Sequence, residues 1–193
     1  MNWISSDFHY FHKNIIRLCD RPFSSMEEMH EEMIKRVNEC VFPEDTFYIL
    51  GDFIWQDYEL KNITDQINCK NLILILGNHD SPHPMHRKFN KAKEHFLRDG
   101  FKEVCIEKDI KIGRFGVKLN HFPYWDHNAT AEYEVRYKEW RPQNNAHTFL
   151  LHGHSHSKPE NKLKENSLDV GVDGNNFYPY SFDDIREIIA NAS

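Results

Sequence analysis

Imidazoles and carboxylates recur along this chain in short clusters: Asp7 with His9, Asp52, then Asn78 with His79 and Asp80, His121, and finally His152, His154 and His156. Carboxylate, imidazole and carboxamide oxygen, without a thiolate among them, are the donors that borderline divalent cations accept. The densest stretch is FLLHGHSH, residues 149–156, with a histidine at every second position. In an extended strand, residues two apart face one side. Three imidazoles aimed one way either share a hydrogen-bonding task or gather around something that takes nitrogen.

The elements that must position these groups are apolar runs, and the clusters sit at their ends. NWISS (2–6) stops at Asp7, TFYIL (46–50) at Gly51-Asp52, and NLILIL (71–76) at Gly77-Asn78-His79-Asp80. FGVKL (115–119) runs into Asn120-His121, and HTFLL (147–151) into the histidines. Continuous apolar runs bounded by glycine predict strands buried on both faces, as in a parallel sheet between helices. In such sheets ligands collect beyond the carboxyl ends of the strands, so five strand ends with donor residues point to a metal site.

The remaining elements follow from periodicity. Met26, Met29, Met33, Val37 and Cys40 predict a helix over 26–40, with Ser25 and Glu28 as a capping box. Weaker helices are expected over 57–67 and 85–97, and a closing helix over 181–192 with Ser181 and Asp184 as its cap. FKEVC (101–105), KDIKI (108–112) and FGVKL (115–119) are short and alternating, which predicts antiparallel strands; SLDVGV (167–172) is the last strand candidate. With no repeat, low-complexity tract or linker, residues 1–193 read as one domain. Residues 122–146 form a long aromatic and charged connection, a candidate lid or specificity segment.

Composition narrows the function classes. The formal net charge is −6, from 24 basic and 30 acidic residues, and no basic block stands out. A stable complex with long nucleic acid is therefore not expected. Cys19, Cys40, Cys69 and Cys105 lie far apart without a CxxC pair, arguing for reduced thiols and against a zinc finger. No leader and no membrane-length apolar run is visible, so the expected place is the cytoplasm.

Five blocks, DFH (7–9), GD (51–52), GNHD (77–80), NH (120–121) and GHSH (153–156), resemble in order those of the calcineurin-like metallophosphoesterases. HYFHKNI, DRPF and the SLDVGVDGNNFYPYSFDDI tail resemble its small bacterial and phage members. The resemblance implies an α/β fold, a two-sheet β-sandwich flanked by helices (α/β/β/α). It implies two divalent cations, manganese first among Mn, Fe, Ni, Co and Zn. Asp7, His9 and His156 would hold one, Asn78, His121 and His154 the other, and Asp52 would bridge them. His79 would be the catalytic general acid and Asp80 would orient it. The implied activity is hydrolysis of a small phosphodiester or phosphomonoester, a nucleotide included, by metal-activated water. A nucleotide pyrophosphatase or nuclease of the same metal design is the alternative, and a non-catalytic metal-binding scaffold is the alternative of another class.

Around this set, His152 shares the direction of His154 and His156 but finds the ligand positions filled, so a supporting role is expected. His12, Arg21, Asn78 and Arg136 are candidate substrate contacts, Arg21 because a guanidinium matches phosphate oxygens. Asn14, Lys138 and Arg141 carry the same idea more weakly. Tyr124 and Trp125 could stack on a base or pack on the sheet, and His83 and His86 are expected at the surface or a helix start. Each block also has a plainer use by itself: Asp7 and His9 as a helix cap, Asp52 as a turn residue, His121 as a core histidine. The ordered set of five favours ligation.

Overall fold

The computed structural model describes residues 1–126, 136–144, 148–164 and 166–192. Its first sheet is parallel at heart: β1 (Asn2–Ser5), β2 (Thr46–Ile49), β3 (Asn71–Ile75) and β4 (Phe101–Cys105) lie side by side, with Phe47 opposite both Trp3 and Leu72. The second sheet has β5 (Glu107–Ile112) and β6 (Phe115–Asn120) as an antiparallel pair, and β7 (Phe149–His152) parallel to β6. Beyond β7 come the short β8 (Leu163–Lys164) and β9 (Ser167–Asp169), in the order β5-β6-β7-β9-β8. β10 (Tyr180–Ser181) closes the first sheet antiparallel to β1.

The apolar runs explain the layers. Along β3, Leu72 and Leu74 join one buried cluster while Ile73 and Ile75 join another, so both faces of the strand are covered. The first cluster packs Ile15 of the short α1 (Ile15–Leu18) and Met29, Met33 and Val37 of α2 (Met26–Cys40) with Leu60 and Ile63 of α3 (Leu60–Gln66) and Phe96 of α4 (Phe89–Arg98). The second draws Ile4 and Leu50 together with Val117, Leu119, Leu151 and Leu168 of the other sheet, and with Ile185 and Ile189 of the C-terminal helix (Phe182–Ala192). Helix α2 starts where the cap residues predict, the Ser25 hydroxyl oxygen accepting the Glu28 N–H at 3.1 Å; the Glu28 carboxylate accepts from Ser24, one residue farther out than a capping box requires. At the last helix the box is complete, with Ser181 Oγ accepting from the Asp184 N–H and Asp184 Oδ2 from the Ser181 N–H, both at 3.0 Å.

Three expectations need correction. FKEVC alternates, yet β4 pairs parallel with β3, because α4 carries the chain back across the sheet before it starts. The strand in SLDVGV ends at Asp169, and Val172–Gly174 is a 3-10 turn. The helix expected at 85–97 begins late, at Phe89, whereas that at 57–67 is met by a 3-10 turn at Asp57–Glu59 running into α3. In the 122–146 connection, residues 127–135 and 145–146 lie outside the described residues, as does His147. No helix among the described residues is long and apolar enough to cross a membrane.

Candidate metal centre

Parallel strands end at the same edge, so β1, β2 and β3 release Asp7, Asp52 and Asn78 beside one another. Past the strand ends the first two loops still run paired: Asp7 donates to the Gly51 carbonyl at 3.1 Å, His9 to that of Asp52 at 2.9 Å, and Tyr10 to that of Phe53 at 3.0 Å. A parallel bridge between Ser6 and Gly171, with the Gly153 N–H on the His121 carbonyl at 3.0 Å, carries the second sheet's loops to the same place. Asp7, His9, Asp52, His154 and His156 all have φ between 48° and 69°. Left-handed backbone is costly for residues with a Cβ and clusters at functional sites. Glycine opens the room. A Cβ on Gly51, itself at φ 84°, would come within 2.5 Å of Gly77 N and His121 Nδ1, and one on Gly153 within 2.2 Å of Asp7 Oδ2.

Two donor groups result. Asp7, His9 and His156 each bring a ligand atom within 4.8 Å of one another, and so do Asp7, Asp52 and His121. Asp52 lies between them: its Oδ2 is 3.5 Å from His9 Nε2 and its Oδ1 3.6 Å from His121 Nε2. His9 Nε2 and His156 Nε2 approach to 3.2 Å, and His121 Nε2 stands 3.1 Å from Asn78 Oδ1.

Hydrogen bonds on the far side of two rings determine what these close approaches mean. His121 Nδ1 is 2.7 Å from the Leu50 carbonyl, and His156 Nδ1 is 2.7 Å from Asp173 Oδ2, so in each ring Nδ1 carries a proton. A neutral ring of that tautomer turns the Nε2 lone pair inward. For His121 that lone pair meets two oxygens, and for His156 a second imidazole and Asp7. Around His121 acceptors thus meet acceptors, which is favourable with a cation or a proton among them.

The electrostatics have the same character. Burial pushes the Asp7 carboxyl up to about 6, against the pull of His156 and His121, with Asp52 adding to the rise. Burial holds His9 well below its ordinary value, and His156 and Arg21 add to that. Burial likewise lowers His154 to about 2. His156 and His121 go the other way: burial opposes it, but Asp7 and the Asp173 hydrogen bond raise His156, and Asp52 and Asp7 raise His121. His79 is 39% exposed at the side chain, with its N–H on Asp52 Oδ1 at 2.9 Å and Nε2 4.0 Å from Asp52 Oδ2. Burial lowers its pKa and Asp52 opposes that.

Other residues lie differently from expectation. The alternation argument for FLLHGHSH does not apply, since β7 ends at His152 and both His154 and His156 are left-handed loop residues. His154 gives its main-chain N–H to Asp7 at 3.0 Å; its ring stands 5.2 Å from that of His121 and belongs to neither donor group. His152 is buried with Nδ1 on the Gly153 carbonyl at 2.8 Å. Asp80 accepts three main-chain N–H groups, from Gly77 (2.7 Å), Asp52 (2.9 Å) and Phe53 (3.0 Å), so it locks the loops after β2 and β3 together. Burial, then Asp52, pushes it up to about 7.

Arg21 is not available as a phosphate clamp. Its side chain is buried, paired with Asp173 through Nε (2.9 Å) and Nη2 (3.0 Å), and it donates to the Asp7 carbonyl at 2.7 Å and the Phe8 carbonyl at 2.9 Å. His12 stands near the centre, 5.6 Å from the His9 ring, whereas Arg136 is exposed and lies over Tyr137, whose ring is 5.5 Å from that of His154. Trp125 is buried, with Lys138 Nζ 5.0 Å from its ring centroid, and the half-buried Tyr124 has its hydroxyl on the Thr148 carbonyl. His83 is fully buried, not a surface residue; His86 reaches the Asn78 carbonyl at 2.9 Å.

Sequence reasoning missed Asp173, the hinge of this arrangement. It accepts from His156 and holds Arg21, which in turn grips the carbonyls of the Asp7 loop. A clue was present in DVGVDG, where a lone carboxylate follows a buried strand between glycines. Cys19, His156 and Asp173 form a third close grouping, but the Arg21 guanidinium already supplies the cation there.

A scan against models of known protein families finds no match. The gene 66 protein of Mycobacterium phage L5 is 32% identical over 186 residues, covering 89% of this chain and 86% of the phage protein. The chain belongs to the gene 66 protein family. Its counterpart in Mycobacterium phage D29 is 30% identical over 97% of the chain and 94% of the relative. An uncharacterized protein of Methanocaldococcus jannaschii is 29% identical over 97% and 90%. A solved structure, a protein of unknown function from Aquifex aeolicus, superposes with a TM-score of 0.68 at 25% identity, covering 98% and 99% of the two chains. The gene 66 fold therefore extends beyond phages.

Proposed function

We propose that this chain is a calcineurin-like metallophosphoesterase that hydrolyses small phosphoesters with two divalent cations. The observation that carries the reading is the Asp52 carboxylate, one oxygen toward His9 and the other toward His121, between two convergent donor groups. The donor set fits hard-to-borderline cations, manganese first. Asp7, His9 and His156 would hold one, His121 and Asn78 the other with His154 completing it, and Asp52 would be shared. The side chains common to both sheets support the sandwich arrangement of that family.

When bound, two such cations supply positive charge to phosphoryl oxygens and make water a competent nucleophile at neutral pH. The chain's own residues do the rest. Asp173 keeps the proton on His156 Nδ1, and the Leu50 carbonyl does the same for His121, so both Nε2 atoms remain donors to a metal. His79 stands at the mouth, tethered to Asp52 through its N–H, with its ring reachable from solvent. Protonated, it gives its proton to the departing ester oxygen, a contribution of about 10²–10⁴-fold.

The test is hydrolysis of bis(p-nitrophenyl) phosphate, p-nitrophenyl phosphate and a nucleotide panel by protein reconstituted with Mn²⁺, beside Asp52→Asn. Turnover that follows bound metal and is lost in Asp52→Asn supports the reading. A metal-loaded protein inert towards every ester points to a scaffold, and a protein that binds no transition metal ends the proposal.

A further inference from the structure

We propose that Trp55 is a stacking platform for the base of a nucleoside phosphate, so that the site takes esters whose leaving group is a nucleoside. This rests on the hydrolase reading above and names its substrate class.

Trp55 is 47% exposed although the backbone carrying it is pinned on both sides. Its N–H donates to the Tyr10 carbonyl at 2.8 Å, and the preceding residue, Ile54, bridges Tyr10 in parallel, with both of those side chains buried. On the other side, the Asp57 carboxylate accepts the Ser81 hydroxyl, tying this segment to the Asn78–Asp80 loop. The indole is thus held in water by a fixed frame. Its ring neighbours are His12, with centroids 4.1 Å apart, and His79, at 4.9 Å, and the His79 ring is 5.5 Å from that of His9. A proton donor must reach the oxygen of the departing group, so that group lies on the His79 side of the centre. Trp55 stands on that side. To a phosphate an uncharged indole offers one N–H donor and no charge; the larger part of it is a flat apolar face, and a nucleobase presents the matching one.

Binding of three ligands to the Mn²⁺-reconstituted full chain tests this by calorimetric titration, so that no turnover is required. AMP and ribose 5-phosphate present the same ester with and without the base, and phenyl phosphate presents a simple aryl group. Wild-type protein is expected to hold AMP at least about fivefold more tightly than either other ligand. Trp55→Ala should bring the AMP to ribose 5-phosphate ratio towards one, a loss of roughly 5- to 150-fold, the range that base stacking on an aromatic side chain covers. Trp55→Tyr should restore most of it. Equal affinity for AMP and ribose 5-phosphate, or equal losses on both in Trp55→Ala, overturns the platform. Phenyl phosphate sharing the whole advantage overturns the nucleoside assignment. None of these results touches phosphoester hydrolysis itself, which stands or falls on the chromogenic assays.

Discussion

Asp173→Asn removes one charge from a buried junction and should disturb two things at once. The wild-type carboxylate, with its side chain 1% exposed, accepts from His156 Nδ1 at 2.7 Å and from Arg21 Nε and Nη2 at 2.9 and 3.0 Å. Asparagine keeps a single acceptor and turns an NH₂ group toward a donor. Whichever way it faces, the buried guanidinium loses its counter-charge, and His156 Nδ1 exchanges a charged acceptor for a neutral one or for none. Breaking a buried pair from one side costs about 3–5 kcal/mol, and the remaining oxygen recovers about 1, leaving a loss of about 2–4 kcal/mol. Because the ring of His156 is no longer oriented, metal affinity should fall by about 10–100-fold. Urea unfolding of metal-free protein reads the first effect and calorimetric titration with Mn²⁺ the second. Wild-type values in both would refute the reasoning. Lowered stability with unchanged affinity would refute the orienting role and leave only the brace.

His79→Ala should leave bound metal near wild type and lower turnover by about 10²–10⁴-fold, most for esters with poor leaving groups; an equal loss across leaving groups in steady-state assays contradicts the proton-donor role. Gly51→Ala places a Cβ at φ 84° and within 2.5 Å of the Gly77 main chain, which cannot move aside. Its melting temperature should drop by at least roughly 2–4 °C, the equivalent of about 1 kcal/mol at this size, and an unchanged value would show that the loops relax freely. His30 accepts the Phe11 N–H at 2.9 Å, and burial pushes its pKa down to about 4 from an ordinary 6.5. Between those values the unfolded chain binds a proton that the native state refuses, so this contribution to stability is present above pH 6.5 and is lost as pH falls to about 4. His30→Gln, whose carbonyl can still accept from Phe11, should unfold with a shallower dependence on pH over that window; an identical slope by denaturant titration rejects the assignment.

Much of the layout was legible because it is local. An apolar run long enough for one strand, closed by glycine and followed by a carboxylate or imidazole, is a strand-end signal, and parallel pairing of β1, β2 and β3 then leaves those ends on one edge. Helix α2 was readable to the residue because its period is written within its own fifteen residues and its cap, Ser25, stands immediately before them. FKEVC misled for the converse reason: alternation reports which faces are wet, whereas the direction of pairing depends on where α4 returns the chain.

The sequence by itself determined which donor chemistries exist and their order along the chain, since residue type and adjacency are covalent facts. Only the tertiary structure decided that Arg21 serves Asp173 and the Asp7 loop instead of a substrate, that Asp80 ties down backbone, and that His154 and His156 are left-handed loop residues rather than members of a pleat. Those outcomes depend on partners that only folding brings together, 152 residues apart for Arg21 and Asp173 and 28 for Asp80 and the Asp52 N–H, or on a backbone region that an L-residue enters only when its surroundings compel it.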